Sequence, residues 1–217
     1  MFERITRREE ADLFVAWIAI SFAFAIIFLR DTGKVSPLLA LTFLGVSLLT
    51  VGIGFILHEM AHKYVAIKYG YWAEFRKDNI MLVVAVALAA LVGVVFAAPG
   101  ATVIYTNSAD GRGLSREENG KISASGPIVN LVLCIPFTAI LILGGQGSTY
   151  TSSIVTMIGM IGLQVNAMIA AFNMLPVSVL DGKKVWAWNK PVFIVLIAAA
   201  FGALVLSFYP ATLSSLL

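Results

Sequence analysis

The stretch IMLVVAVALAALVGVVFAAPGATVIY (residues 80–105) decides the fold, because it can be read either as a sixth crossing of a membrane or as a segment that enters and returns. Residues 80–98 are apolar enough to span. Pro99 and Gly100 then break the helical pattern, and the β-branched run after them reads as a strand. Five other stretches are long and apolar enough for the ~20 residues a bilayer requires: 12–29, 38–60, 124–144, 152–172 and 191–209. If 80–98 also crosses, the N-terminal side holds Arg4, Arg7, Arg8, Lys63, Lys68, Arg76 and Lys77, seven of the 15 basic residues, and no bias results. If residues 80–106 return on the side they left, only Arg30 and Lys34 face the other way and the remaining 13 of 15 collect on the N-terminal side. The positive-inside rule favours the second arrangement. The expected fold is therefore an all-α polytopic membrane protein of five to six transmembrane helices. It predicts a cytoplasmic N-terminus, a cell-membrane location and a small re-entrant β-element after the second span. Irregular backbone at that depth needs protein or water to satisfy it, which implies an internal polar cavity.

Composition agrees with lipid as the solvent. Of 217 residues, 59% are hydrophobic and 12% charged, with a mean hydropathy of +0.92; soluble domains are about a quarter charged. A net charge of +3 carries no nucleic-acid signal. Cys134 is the single cysteine, which excludes an intrachain disulfide and a cysteine-only zinc site, and its apolar neighbours mark it as a packing residue. The first apolar run follows a charged N-terminus and has no small-residue cleavage site after it, so it reads as a span and not a removable signal. No repeat or long linker divides the chain, which is expected to be one membrane-embedded domain over 1–217. Its core would cover about 50–185, with peripheral spans in 1–37 and 186–217.

The chemistry is carried by GFILHEMAHKYVAIKYG, which contains the only two histidines, His58 and His62. On a helix, residues four apart share a face, so both imidazoles can reach one ion. Glu59 lies one step round and can reach water at the metal without being a ligand: the H-E-x-x-H arrangement of zinc proteases. The bland alternative, two satisfied histidines on an apolar helix, must explain why an ionisable cluster sits in a membrane span, where such groups are expensive. A hydrolytic zinc needs a further protein ligand. Asp31, Glu74, Asp78 and Asp110 flank spans or loops, and Glu117 and Glu118 sit in a polar connection. Asp181 stands in an otherwise apolar run, VSVLDG, with Gly182 read as permitting a tight turn; an Asp in an ordinary surface turn is the competing reading. Parity links the two problems. With 80–106 re-entrant, two crossings separate the histidines from Asp181, which returns to the same end.

At these residues the chain resembles the site-2 protease family of intramembrane zinc metalloproteases. HEMAH, GPIVN (126–130) and NMLPVSVLDG (173–182) occur in the family's order. The resemblance implies His58, His62 and Asp181 as zinc ligands, one zinc per chain, and Glu59 as general base. It implies Asn173, and with it Asn130, at the substrate-binding cleft; interhelical hydrogen bonding is the competing role for both asparagines. It also implies a β-element after the metal helix, which YWAEFR and GATVIY can supply. Two features depart from the pattern: a longer apolar insertion between those strands, and Pro99-Gly100 where Gly-Gly is common. The expected activity is hydrolysis of peptide bonds in or near transmembrane segments, with single-pass or other membrane proteins as substrates, the lipid bilayer as surroundings, and Lys183 with Asn173 lining a water path. The alternative is a non-enzymatic metal-binding membrane protein or transporter, which would have no need of Glu59. A third reading is a different membrane metalloprotease with a Glu ligand, for which Glu117 and Glu118 are the candidates.

Overall fold

The structure is a computed structural model that describes residues 5–33, 36–95, 100–106, 113–145, 150–177 and 179–209. Arg4, Lys34, Pro99, Asp110 and Arg112 lie outside these residues. The order is α1 (Arg7–Asp31), α2 (Pro37–Lys68), β1 (Trp72–Lys77), α3 (Asn79–Leu91), β2 (Gly100–Tyr105), α4 (Arg116–Gly145), α5 (Tyr150–Asn173), α6 (Asp181–Trp188) and α7 (Lys190–Ser207). Helices α1, α2, α4, α5 and α7 are long and apolar enough to cross a membrane. The chain is thus an all-α polytopic membrane protein with one small β-element.

Helices α1, α2, α4 and α5 outrun the apolar stretches that predict them at both ends, and α7 at its start only; at several of these starts capping carries the helix into polar sequence. Thr6 accepts a hydrogen bond from the Glu9 N–H to open α1, and Ser36 with Pro37 opens α2. Helix α4 begins at Arg116, eight residues before the predicted span. Ser115 Oγ accepts from the Glu118 N–H at 3.2 Å while Glu118 Oε2 accepts from the Ser115 N–H at 3.0 Å, a reciprocal capping box. Glu118 also accepts from the Tyr71 hydroxyl at 2.9 Å, and Glu117 pairs with Lys121 at 2.5 Å. The connection expected to be a polar loop is therefore the first turn of α4.

The ambiguous stretch resolves into two unlike halves. Asp78 caps α3, which is 13 residues long, or about 20 Å, against a ~30 Å hydrocarbon core. Gly93, at φ +78°, closes the helix by donating its N–H to the Leu88 and Ala89 carbonyls. The last-turn carbonyls of Ala89 and Ala90 also accept from the Arg30 guanidinium at 3.1 and 2.6 Å, a cation placed where the helix dipole is negative. Arg30 ends α1, so α3 runs alongside α1 in the same direction, burying Leu82, Ala85 and Ala89 and leaving Ile80, Val83 and Leu91 exposed. Strand β2 then pairs antiparallel with β1, from Trp72 opposite Tyr105 to Lys77 opposite Gly100. Departure and return points are hydrogen-bonded to each other, so this segment does not cross.

A buried ion pair ties the sheet to the helices. Lys63 of α2 donates to Glu9 Oε2, and Glu9 Oε1 accepts the Phe75 N–H of β1 at 3.0 Å. Glu9 and Lys63 are both buried. Along the rest of the two helices Ile20, Phe24, Phe28, Phe43, Val46 and Phe55 belong to one apolar core cluster. A second cluster of Cys134, Phe137, Leu141, Leu163 and Ala167 joins α4 to α5, and Cys134 has the packing role its neighbours suggest.

Candidate metal centre

The last turns of α2, the first half of α4 and the start of α6 converge on one point. His58 and His62 lie one turn apart on α2, with their Nε2 atoms 3.0 Å from each other. Asp181, the first residue of α6, places Oδ2 3.1 Å from His62 Nε2 and 3.5 Å from His58 Nε2. Ligand atoms held at tetrahedral angles on zinc bonds of about 2.0–2.1 Å stand about 3.3 Å apart. The observed triangle has that size, and all three residues are buried. Two nitrogens and one carboxylate oxygen, with a fourth position left open, form the donor set of a hydrolytic zinc.

The surroundings prepare the imidazoles for a metal. His62 Nδ1 lies 2.8 Å from the Ile122 carbonyl, which can only accept, so Nδ1 carries the proton and the Nε2 lone pair is free. His58 Nδ1 lies 2.5 Å from Asn130 Oδ1. The orientation of that amide follows from its own bonds: Asn130 Nδ2 donates to the Gly54 carbonyl at 3.0 Å and to Asn166 Oδ1 at 2.9 Å, and Asn166 Nδ2 donates to the Gly162 carbonyl at 2.8 Å. A chain of donors from His58 to α5 thus fixes the tautomer of a ligand on α2, as metal sites commonly require. Asn130 is fully buried, and both ends of its amide are engaged within the protein.

Glycine makes room twice. A Cβ on Gly126 would lie 2.5 Å from His62 Nε2 and 2.6 Å from His58 Nε2, in the space where the ion would sit; this is the physical content of the first letter of GPIVN. Gly182 serves close approach and not a turn. It lies inside α6, and a Cβ there would collide with the Met174 carbonyl, so the absence of a side chain lets α6 seat against the end of α5 and bring Asp181 inward.

Asp181 faces both imidazoles through Oδ2. Its Oδ1 lies 3.6 Å from Lys184 Nζ. Lys184, not Lys183, reaches the site: Lys183 is exposed, whereas Lys184 lines the cavity with Asn173 and Glu59. That cavity, of about 70 Å³, also has Thr102 and Ile104 of β2 in its wall, room for a few waters and no more. Thr102 Oγ1 donates to Glu59 Oε2 at 2.8 Å. Asn173, which lines the cavity, donates through Nδ2 to the Ile169 carbonyl of its own helix at 3.0 Å. Glu117 and Glu118, engaged at the head of α4, are not among the converging ligands.

Three groups at this site were not anticipated from the sequence. Thr102 sits 43 positions from Glu59, Asn166 belongs to an apolar run that reads only as a span, and Lys184 is the second of two adjacent lysines. Each is brought in by a long-range contact for which no short motif codes.

No family model matches the sequence, and no solved structure matches it. The chain is 37% identical over 186 residues to a curated protein of Methanocaldococcus jannaschii named "Putative zinc metalloprotease", an alignment covering 86% of this chain and 87% of that one. At that identity over nearly the full length of both proteins, this chain belongs to the same zinc metalloprotease family.

Proposed function

We propose that the chain is an intramembrane protease of the site-2 kind, which hydrolyses peptide bonds in or near the transmembrane segments of other membrane proteins and holds one zinc per chain on His58, His62 and Asp181. The observation that carries this reading is the depth of the ligands. His62 and His58 lie six and ten residues before the end of α2 at Lys68, about 9 and 15 Å along the helix axis. At that end, half-exposed Tyr64, Trp72, Tyr105 and Trp186 resemble the aromatic belt of a membrane interface, so the ligands fall inside it. Every described basic residue except Arg30 lies at this same end of the bundle, which supports a cytoplasmic site and a cytoplasmic N-terminus.

A substrate helix has its backbone hydrogen bonds already made and must unwind to present a carbonyl. Strand β2 offers a place for the unwound segment. The outward Phe75 N–H of β1 is taken by Glu9, which closes that edge. Antiparallel alternation then turns the backbone groups of Gly100, Thr102 and Ile104 to the other edge of the sheet, where an extended substrate can add as a strand. Asn173 supplies a side-chain amide oxygen to the same cleft. Zinc, when bound, supplies Lewis-acid polarisation and makes water nucleophilic near neutral pH. Glu59 accepts the proton that water gives up on attacking the carbonyl and passes it to the leaving amine.

The test is cleavage of a protein with a single transmembrane helix by wild type and Glu59→Gln, reconstituted in vesicles with zinc measured in both. The expected outcome is a fall in rate of at least about a hundredfold in Glu59→Gln with zinc retained, and cleavage stopped by an impermeant chelator added on the basic side of the bundle only. Equal cleavage by both proteins contradicts the role of Glu59. Stoichiometric zinc with cleavage by neither favours a metal-binding protein without peptidase activity.

A further inference from the structure

We propose that Thr102 is a positioning residue for the Glu59 carboxylate, so that the strand on which substrate is laid also holds the base. The inference rests on Glu59 acting as base and adds a residue that neither the motifs nor the relative's name assigns. Thr102 Oγ1 lies 2.8 Å from Glu59 Oε2 and 3.5 Å from the Glu59 carbonyl. A hydroxyl has one proton to donate, and here it goes to one carboxylate oxygen, leaving Oε1 to take the proton from water. An unheld Glu side chain has three rotatable bonds, and proton transfer is efficient only when donor and acceptor meet at hydrogen-bond distance.

What makes the contact specific is the way β2 is registered to α2. Along β2 the alternate residues Ala101, Val103 and Tyr105 are exposed, whereas Gly100, Thr102 and Ile104 are partly covered; a one-residue slip would carry the Thr102 hydroxyl to the wrong face. Thr102 stands opposite Phe75, and Phe75 is pinned to α2 on both sides of Glu59. Its ring packs edge-on against Phe55 at 5.5 Å, one turn before Glu59. Its N–H is held by Glu9, whose other oxygen pairs with Lys63, one turn after Glu59. The metal helix thus fixes β1, β1 fixes β2, and β2 returns a hydrogen bond to the metal helix at the base itself. A substrate strand docking on β2 would share Thr102 with Glu59, its backbone by the outward groups and its side chain by the hydroxyl, which sets the scissile carbonyl and the base in one frame.

Thr102→Val keeps the branching and volume that suit a strand and removes only the hydroxyl; Thr102→Ser keeps the hydroxyl. With the reconstituted full chain and the single-helix substrate, Thr102→Val is expected to lower kcat about tenfold or more, with KM within about twofold of wild type and zinc content unchanged. Thr102→Ser is expected to return kcat to within about threefold of wild type. Should Thr102→Val fail to fold, Thr102→Ala provides a second variant without the hydroxyl. Wild-type kcat without the hydroxyl, a raised KM with kcat kept, or equal loss in the Val and Ser variants each overturns the proposal. Glu59→Gln in the same assay separates the two levels: if it still cleaves, the base assignment fails, and if it is inactive while Thr102→Val is fully active, only the role of Thr102 fails.

Discussion

At the scale of single residues, the site is a study in what surrounds a ligand. His58 is a ligand candidate because a buried amide takes its Nδ1 proton, and that amide is itself oriented by Gly54 and Asn166. Asn130 therefore supports the histidine, with both ends of its amide engaged within the protein. Asn130→Ala removes the acceptor and orphans the buried Asn166 oxygen. The expected result is a loss of about 10- to 100-fold in zinc affinity, read by metal titration, with cleavage at saturating zinc recovered at least in part; unchanged affinity would place Asn130 outside the metal's support. The two histidines and the Glu between them were legible at once, since a four-residue spacing on a helix is a local fact. Asp181 was legible only through parity and motif together. Thr102 and Lys184 were not legible, because a hydroxyl in a β-branched run and the second of two lysines carry no local mark of what they will touch.

At the scale of elements, the instructive piece is the segment between the two strands. Its hydropathy resembles that of a span, yet Gly93 ends the helix at a length too short to cross, and Arg30 reaches over from α1 to bond the carbonyls of its last turn. The count of basic residues anticipated the return, but counted Arg30 only as a marker of side, not as a helix cap. Lys63 was likewise counted as a marker, and it is a buried partner of Glu9 that ties α1, α2 and β1 together. Truncating one member of such a pair strands the other charge. Glu9→Ala is expected to destabilise the fold by about 3–5 kcal/mol, measured by thermal or denaturant unfolding in detergent, and pairing it with Lys63→Met should recover part of the loss. A change below about 1 kcal/mol would mean that the ion pair does not hold the sheet in place. Four of the five spanning helices extend past their apolar stretches at both ends, whereas α7 stops at Ser207, short of residue 209. Hydropathy marks where lipid is, whereas caps such as Ser115 with Glu118 mark where helices begin.

At the scale of the whole molecule, five crossing helices and a returning segment set the metal centre at one end of a bundle. Both ligand-bearing ends, that of α2 and the start of α6, arrive there because the segment between the strands does not cross. Topology and chemistry thus depend on one feature: a sixth crossing would have sent Asp181 to the opposite end. The overall class was legible because membrane spans are written as long apolar runs, and the β-element because an aromatic-rich run and a β-branched run flank residues 80–98. How α6 tucks against α5 was not, since it depends on the missing side chain of Gly182 meeting the Met174 carbonyl. The most direct test of the three-ligand metal centre is X-ray absorption at the zinc edge on the purified chain, compared with Asp181→Ala. The expected result is one zinc bound by two imidazole nitrogens and light oxygen ligands at about 2.0–2.1 Å with no sulfur, and a sharp loss of bound zinc in the variant. A sulfur ligand, or full zinc occupancy with an unaltered spectrum in Asp181→Ala, would contradict it.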